Sequence, residues 1–310
     1  MSPLVDVHAH FVTPWYVQAA IAAGHRRPDG IPGWPTWSVD DHLRMMDANG
    51  IDQAVLSISS PGVFFGDEMA AVDLAHRVND FAAQVCTDRP DRFRFFGALP
   101  LPATDEALAE LSRCLDELGA SGIAAESNVH GTYLTDPSIR PVLQELERRE
   151  AVLFVHPTSP PGGAATSLGL PRPMHEFLAE STRVIAALIS DHTLTPTSRL
   201  RLIVPHCGAY LPLLADRLDL FASALQLGTP DGSATLGNLW YDLAGSPMPT
   251  HARVLAEKVG TSKLLYGSDY CWTPVPAVGR QVASLDASWA TVTDRPWREL
   301  VAANAADLLS

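Results

Sequence analysis

The sequence has no long apolar run, no extended basic cluster and no closely spaced cysteines, and each gap removes a class of function. No stretch approaches the ~20 apolar residues needed to span a bilayer. The longest basic cluster is His25-Arg26-Arg27 and the net charge is −13, which argues against a nucleic-acid phosphate backbone as partner. The four cysteines, Cys86, Cys114, Cys207 and Cys271, stand far apart with no C-x-x-C spacing, so neither a disulfide framework nor a Cys-zinc site is indicated. Residues 1–11 lack the basic start and continuous apolar run of an export signal, and a reduced, cytoplasmic, soluble protein is expected. Also missing is a glycine-rich phosphate loop after the first strand candidate, where Phe11-Val12-Thr13-Pro14-Trp15 stands instead. That absence weighs against an open dinucleotide-binding sheet.

What is present is an alternation of short apolar runs with amphipathic segments. Strands are expected at 4–8, 54–59, 94–99, 122–126, 151–156, 201–206, 239–243 and 264–268, with helices between them and a last helix near 296–309. Asp136-Pro137 reads as an N-cap followed by a first-turn proline, Thr250 reads as another cap, and Gly50, Gly119 and Gly260 stand where helices should stop. Nearly uniform apolar strands such as AVLFV suit a parallel sheet buried on both faces. Count and length together predict a (β/α)8 TIM-like barrel, one domain over residues 1–310. Two connections are long, 11–38 after the first strand and 157–174 after the fifth, and both should emerge on the face where such barrels build their sites.

The first strand carries VDVHAHF, with His8 and His10 two residues apart. On a strand both point to one face, with Cα atoms roughly 6.6 Å apart, so two imidazoles can converge on one ion. Among eleven histidines a lone His-x-His is a weak signal, and position is what strengthens it. His8 and His10 end strand one, His156 ends strand five, His206 ends strand six, and Asp269 follows strand eight in YGSDY. In a barrel these ends form one ring around one cavity. His25, His42, His76, His130, His175 and His192 fall on helices or connections and read as surface, capping or loop residues. Imidazole nitrogens with a carboxylate oxygen suit zinc or manganese without separating them, so His8, His10, His156 and Asp269 form a candidate site for one divalent ion, expected to be zinc with manganese as the alternative. His206 is then left as a general acid or base beside it, with Asp269 sharing that role.

DVHAHF, FVHP, VPHCGAYLP and YGSDY, in this order and spacing, resemble the amidohydrolase superfamily. The resemblance is to the decarboxylase branch that includes the aminocarboxymuconate semialdehyde and 6-methylsalicylate decarboxylases, and residues 37–62 and 89–102 look like the same branch. It implies a distorted barrel holding one divalent metal, with His8, His10, His156 and Asp269 as ligands and His206 as the catalytic histidine. It also implies a homodimer. Many amidohydrolases carry a carbamylated lysine at the end of strand four. This chain reads GIAAESNVHG there, which fits the mononuclear branch. Glu126 at that place reads as a paired or solvated carboxylate, or alternatively as a second-metal ligand or proton relay. Cys207, where relatives often have glycine, reads as a small buried thiol, with a thiolate ligand as the alternative.

Two reactions fit this set. One is non-oxidative decarboxylation of a small aromatic or unsaturated carboxylic acid of salicylate type, with the tryptophan-rich 11–38 connection supplying flat apolar surface for the ring. The other is hydrolysis of an amide, lactone or ester by a metal-activated water. The ligands serve either, and the resemblance favours decarboxylation. A purely structural metal site is disfavoured, since four ligands would close it and leave a fifth candidate without use. Arg183 is a candidate to grip the substrate carboxylate, with Arg26 and Arg27 behind it.

Overall fold

Strands rich in Val, Ile, Leu and Phe cannot leave either face in water, and here they resolve the problem by closing on themselves. The computed structural model describes residues 3–226 and 232–310. The barrel strands are β1 (Val5–His10), β2 (Gln53–Ser57), β3 (Phe93–Ala98), β4 (Gly122–Glu126), β5 (Val152–His156), β6 (Arg201–Val204), β7 (Trp240–Asp242) and β8 (Leu264–Leu265). They hydrogen-bond in sequence order, every neighbouring pair parallel. Two parallel bridges close the ring between β1 and the chain beyond β8, Asp6 with Tyr266 and Ala9 with Tyr270. Helices wrap the outside, as the alternation predicts. No helix among the described residues is long and apolar enough to cross a membrane.

The interior divides along its length. Val5, Val7, Val55, Phe96, Phe154, Ile203, Trp240 and Leu265 fill the lower part, and Ala305 and Leu308 of the helix Trp297–Leu308 join the same cluster. Each fully buried side chain of this size stabilises by about 1.5–3 kcal/mol relative to exposure. A register shift lies in β1 between Asp6 and Ala9 against β2, one extra residue on β1. Such a bulge turns the side-chain alternation. Val7 packs in the interior cluster, and the next residue, His8, also faces inward with its ring 4.8 Å from that of Phe154.

Local signals succeed where the cap chemistry is simple. Ser38 caps the helix Val39–Asn49, accepting from the Asp41 amide at 3.1 Å, and Gly50 ends it in the left-handed region at φ 65°. Asp136-Pro137 does not start its helix. Asp136 instead accepts from the Ser138 amide at 2.9 Å in a preceding turn, and the helix begins at Arg140. Thr250 precedes the helix His251–Val259 without a side-chain cap bond. Strand six ends at Val204, short of the expected 206, because Pro205–Gly208 turns sharply, with His206 and Cys207 both at φ 55°.

Candidate active site

All five polar residues expected at the strand ends reach the same rim. His8, His10, His156 and Asp269 each offer one ligand atom, and these atoms lie within 4.8 Å of one another. Asp269 Oδ1 is 3.5 Å from His8 Nε2 and 3.4 Å from His10 Nε2. Metal bonds of about 2.0–2.2 Å put adjacent ligand atoms about 3–3.5 Å apart, so these two separations match the geometry of one ion. His8 Nε2, His10 Nε2 and His156 Nδ1 are buried with no hydrogen-bond partner among the described residues. Buried polar atoms are rarely left so. The residues present therefore fit one divalent cation.

The outer partners fix how the rings turn. His8 Nδ1–H donates to Asp242 Oδ2 at 2.8 Å, and His10 Nδ1 lies 3.0 Å from Ser57 Oγ. A carboxylate behind an imidazole in this way leaves the other nitrogen free to ligate and raises its basicity. Asp242 also accepts the His206 amide at 2.9 Å through Oδ1, so one carboxylate sets both a ring and the sharp turn after β6. That turn brings His206 Nε2 to 3.8 Å from Asp269 Oδ2. Gly267 is required by close approach: a Cβ there would meet the Cβ of His8 at 2.7 Å.

Burial and charge oppose each other across the group. Burial disfavours the charged form of His8, yet Asp242 and then Asp269 outweigh it and lift its pKa to about 9. His156 is driven well below the usual imidazole value, by burial first and then by repulsion from the neighbouring imidazoles of His10 and His8. Burial would raise Asp269, but its contacts to His10 and His206 and the charge on His8 hold it well below the usual carboxylate range. The rim thus has an ionised carboxylate facing imidazoles that compete for one positive charge, an arrangement suited to a cation.

Beside this group opens a cavity of about 520 Å³. Its apolar wall is Ile58, Val63, Phe64, Leu99 and Leu101, from the segments after β2 and β3. Both long connections contribute, through His25, Arg27 and Asp29 from the first and Thr158, Ser159 and Arg172 from the second. The tryptophans of the first connection do not line it. Trp15, Trp34 and Trp37 pack against the core, Trp34 with its ring 5.4 Å from that of Trp272. A large apolar ring gains more by joining a core than by waiting in a mouth, and the wall is built by smaller side chains.

Several expectations change. Arg183 is half-exposed, pairs with buried Glu180 and lies outside the cavity lining, while Arg27 and Arg172 are the guanidinium residues that line it. His42, read as a surface, capping or loop residue, is instead fully buried on the helix Val39–Asn49 and accepts from Trp37 Nε1 at 2.9 Å, while His25 and His130 are loop residues, as read, that line the cavity. His251, which the strand-end pattern passes over, bonds the Ala209 carbonyl at 2.8 Å. Cys207 is fully buried and outside the four-ligand group, and burial pushes its thiol up, as befits a packing residue. Asp242 was missed: a carboxylate ending the apolar run LWYDL was the available signal.

The chain belongs to the amidohydrolase family, whose sequence model matches residues 5–310. It is 32% identical to Decarboxylase macB of Penicillium terrestre, with 94% of this chain and 90% of that protein covered. It is 30% identical to the 6-methylsalicylic acid decarboxylase acuB of Aspergillus aculeatus, covering 98% of this chain and 95% of that one. Among solved structures, 2,6-dihydroxybenzoate decarboxylase complexed with 2,6-dihydroxybenzoate superposes with a TM-score of 0.79 at 25% identity, covering 100% of this chain and 99% of that chain.

Proposed function

We propose that this chain is a metal-dependent, non-oxidative decarboxylase, a carboxy-lyase acting on a small aromatic carboxylic acid with an ortho hydroxyl. The observation that carries the reading is a buried three-histidine, one-aspartate group flanked by a cavity with an apolar wall, which it meets through Glu126, a lining residue 3.6 Å from His156. The same ligands could serve hydrolysis of an amide, lactone or ester, and the named activities of the relatives favour the lyase.

In this reading His8, His10, His156 and Asp269 hold one divalent ion, zinc first and manganese second. Such an ion supplies positive charge to the substrate carboxylate and its neighbouring oxygen. Ile58, Val63, Phe64, Leu99 and Leu101 bind the ring and exclude water. Loss of CO2 requires the ring carbon bearing the carboxylate to gain a proton, after which the C–C bond electrons restore the aromatic ring. His206 and Asp269 hold and deliver that proton, 3.8 Å apart at the rim. The four free cysteines suit a reducing cytoplasm, and a homodimer belongs to the same reading.

The test is headspace CO2 over a panel of hydroxybenzoates with metal-loaded protein. Release from ortho-hydroxy acids is expected, lost on chelation and restored by zinc or manganese. Turnover of a lactone or amide panel with no CO2 from any acid overturns the reading.

A further inference from the structure

One polar group at the inner end of the cavity has no role in the arrangement above. Glu126 ends β4 in register with His156 at the end of β5, so both side chains point inward at the same level of the rim. Its Oε2 lies 3.6 Å from His156 Nδ1, and its side chain is 11% exposed. That oxygen is buried with no hydrogen-bond partner among the described residues, and no lysine or arginine pairs with it there.

The surroundings show where the carboxyl group can find a partner. Behind it stands backbone: a Cβ at Gly62, a residue held at φ 75°, would meet Glu126 Cγ at 3.1 Å. Tyr16, packed nearby, spends its hydroxyl on the Gly62 carbonyl at 2.7 Å. The other buried polar side chains of the lining are already engaged. Thr158 bonds Ser60 at 2.6 Å, Asn128 bonds Glu180 at 3.0 Å, and Asp29 accepts from Ser159. What remains open to Glu126 is His156 Nδ1, 3.6 Å away and beyond hydrogen-bond length, and the cavity it lines.

Resting on the decarboxylase reading, we infer that Glu126 determines specificity at the ring position flanking the reacting carbon on the side away from the first ortho hydroxyl. Adjacent strands lie about 4.8 Å apart, so a group bound next to His156 presents its neighbouring ring substituent to the end of β4. A hydroxyl or amino substituent there forms a hydrogen bond with the carboxyl group of Glu126. A methyl substituent leaves that group desolvated and unpaired, which is the larger penalty. The preferred substrates are therefore 2,6-dihydroxybenzoate-like acids rather than 6-methylsalicylate-like ones.

The experiment compares wild type, Glu126→Gln and Glu126→Leu, each metal-loaded, on 2,6-dihydroxybenzoate and 6-methylsalicylate. Calorimetric binding of the corresponding products, resorcinol and 3-methylphenol, and metal content are measured alongside. Wild type should prefer the dihydroxy acid by about tenfold or more in kcat/KM, carried mainly by KM. Glu126→Gln should keep that preference, Glu126→Leu should reverse it in both turnover and product binding, and all three should hold the same amount of metal. Should Glu126→Leu fail to fold, Glu126→Ala carries the same comparison. An unchanged preference in the apolar variant, a wild-type preference for the methyl acid, or metal lost with Glu126→Gln overturns the inference. Turnover of neither acid returns the decarboxylase reading to the hydroxybenzoate panel, and the product-binding ratio still decides the role of Glu126.

Discussion

Val7 and His8 are neighbours on one strand, yet they belong to two different halves of the barrel interior. Below the bulge the interior is Val7, Phe96, Phe154 and Ile203, apolar and closely packed. Above it stand His8, His10, Glu126, His156 and Asp269. Of eight buried side-chain atoms lacking partners among the described residues, five belong to the upper half: those of His8, His10, Glu126, His156 and His206. The lower half stabilises the fold, while the upper half leaves buried polar groups without protein partners, which under the proposed function an ion and a substrate would satisfy. The same eight strands do both because a barrel has two ends and only one faces the long connections.

The contrast breaks most sharply at the ligands. His156→Ala should abolish metal retention and reduce turnover to that of chelated protein, whereas His206→Ala should keep its metal and lose about 10²–10⁴-fold in kcat. Metal analysis with CO2 kinetics separates the two, and full occupancy in His156→Ala would defeat the ligand assignment. In the lower half the damage moves from activity to folding. Phe96→Ala should cost about 3–5 kcal/mol of stability with metal affinity unchanged, read from urea unfolding and metal titration. The smallest expected effect sharpens the boundary. Asp242→Asn removes the charge behind His8 and should weaken metal binding about 10–100-fold with little loss of stability, measured by competition with a chelator.

The legible part of this protein was legible because its signals are local. Apolar runs of strand length, helices ended by Gly50 and Gly260, and polar residues at strand ends follow from side-chain chemistry and chain position. Residue type and position do not say which of several possible partners, near or far along the chain, claims a group. Asp136-Pro137 has the composition of a cap, but the turn it makes with Ser138 competes successfully for the carboxylate. Arg183 stands one helical turn from Glu180, which claims it before any substrate can. The tryptophans of the first connection found Tyr16, Phe81 and Trp272.

The sequence by itself determined that eight strands alternate with helices and that imidazoles and a carboxylate occur at their ends, because periodicity and residue type are properties of short segments. Only the tertiary structure decided which nitrogens converge, that Asp242 reaches both His8 and His206, and that Glu126 faces the cavity unpaired. Those outcomes depend on barrel closure and on the register shift in β1, which set distances between residues more than two hundred positions apart along the chain.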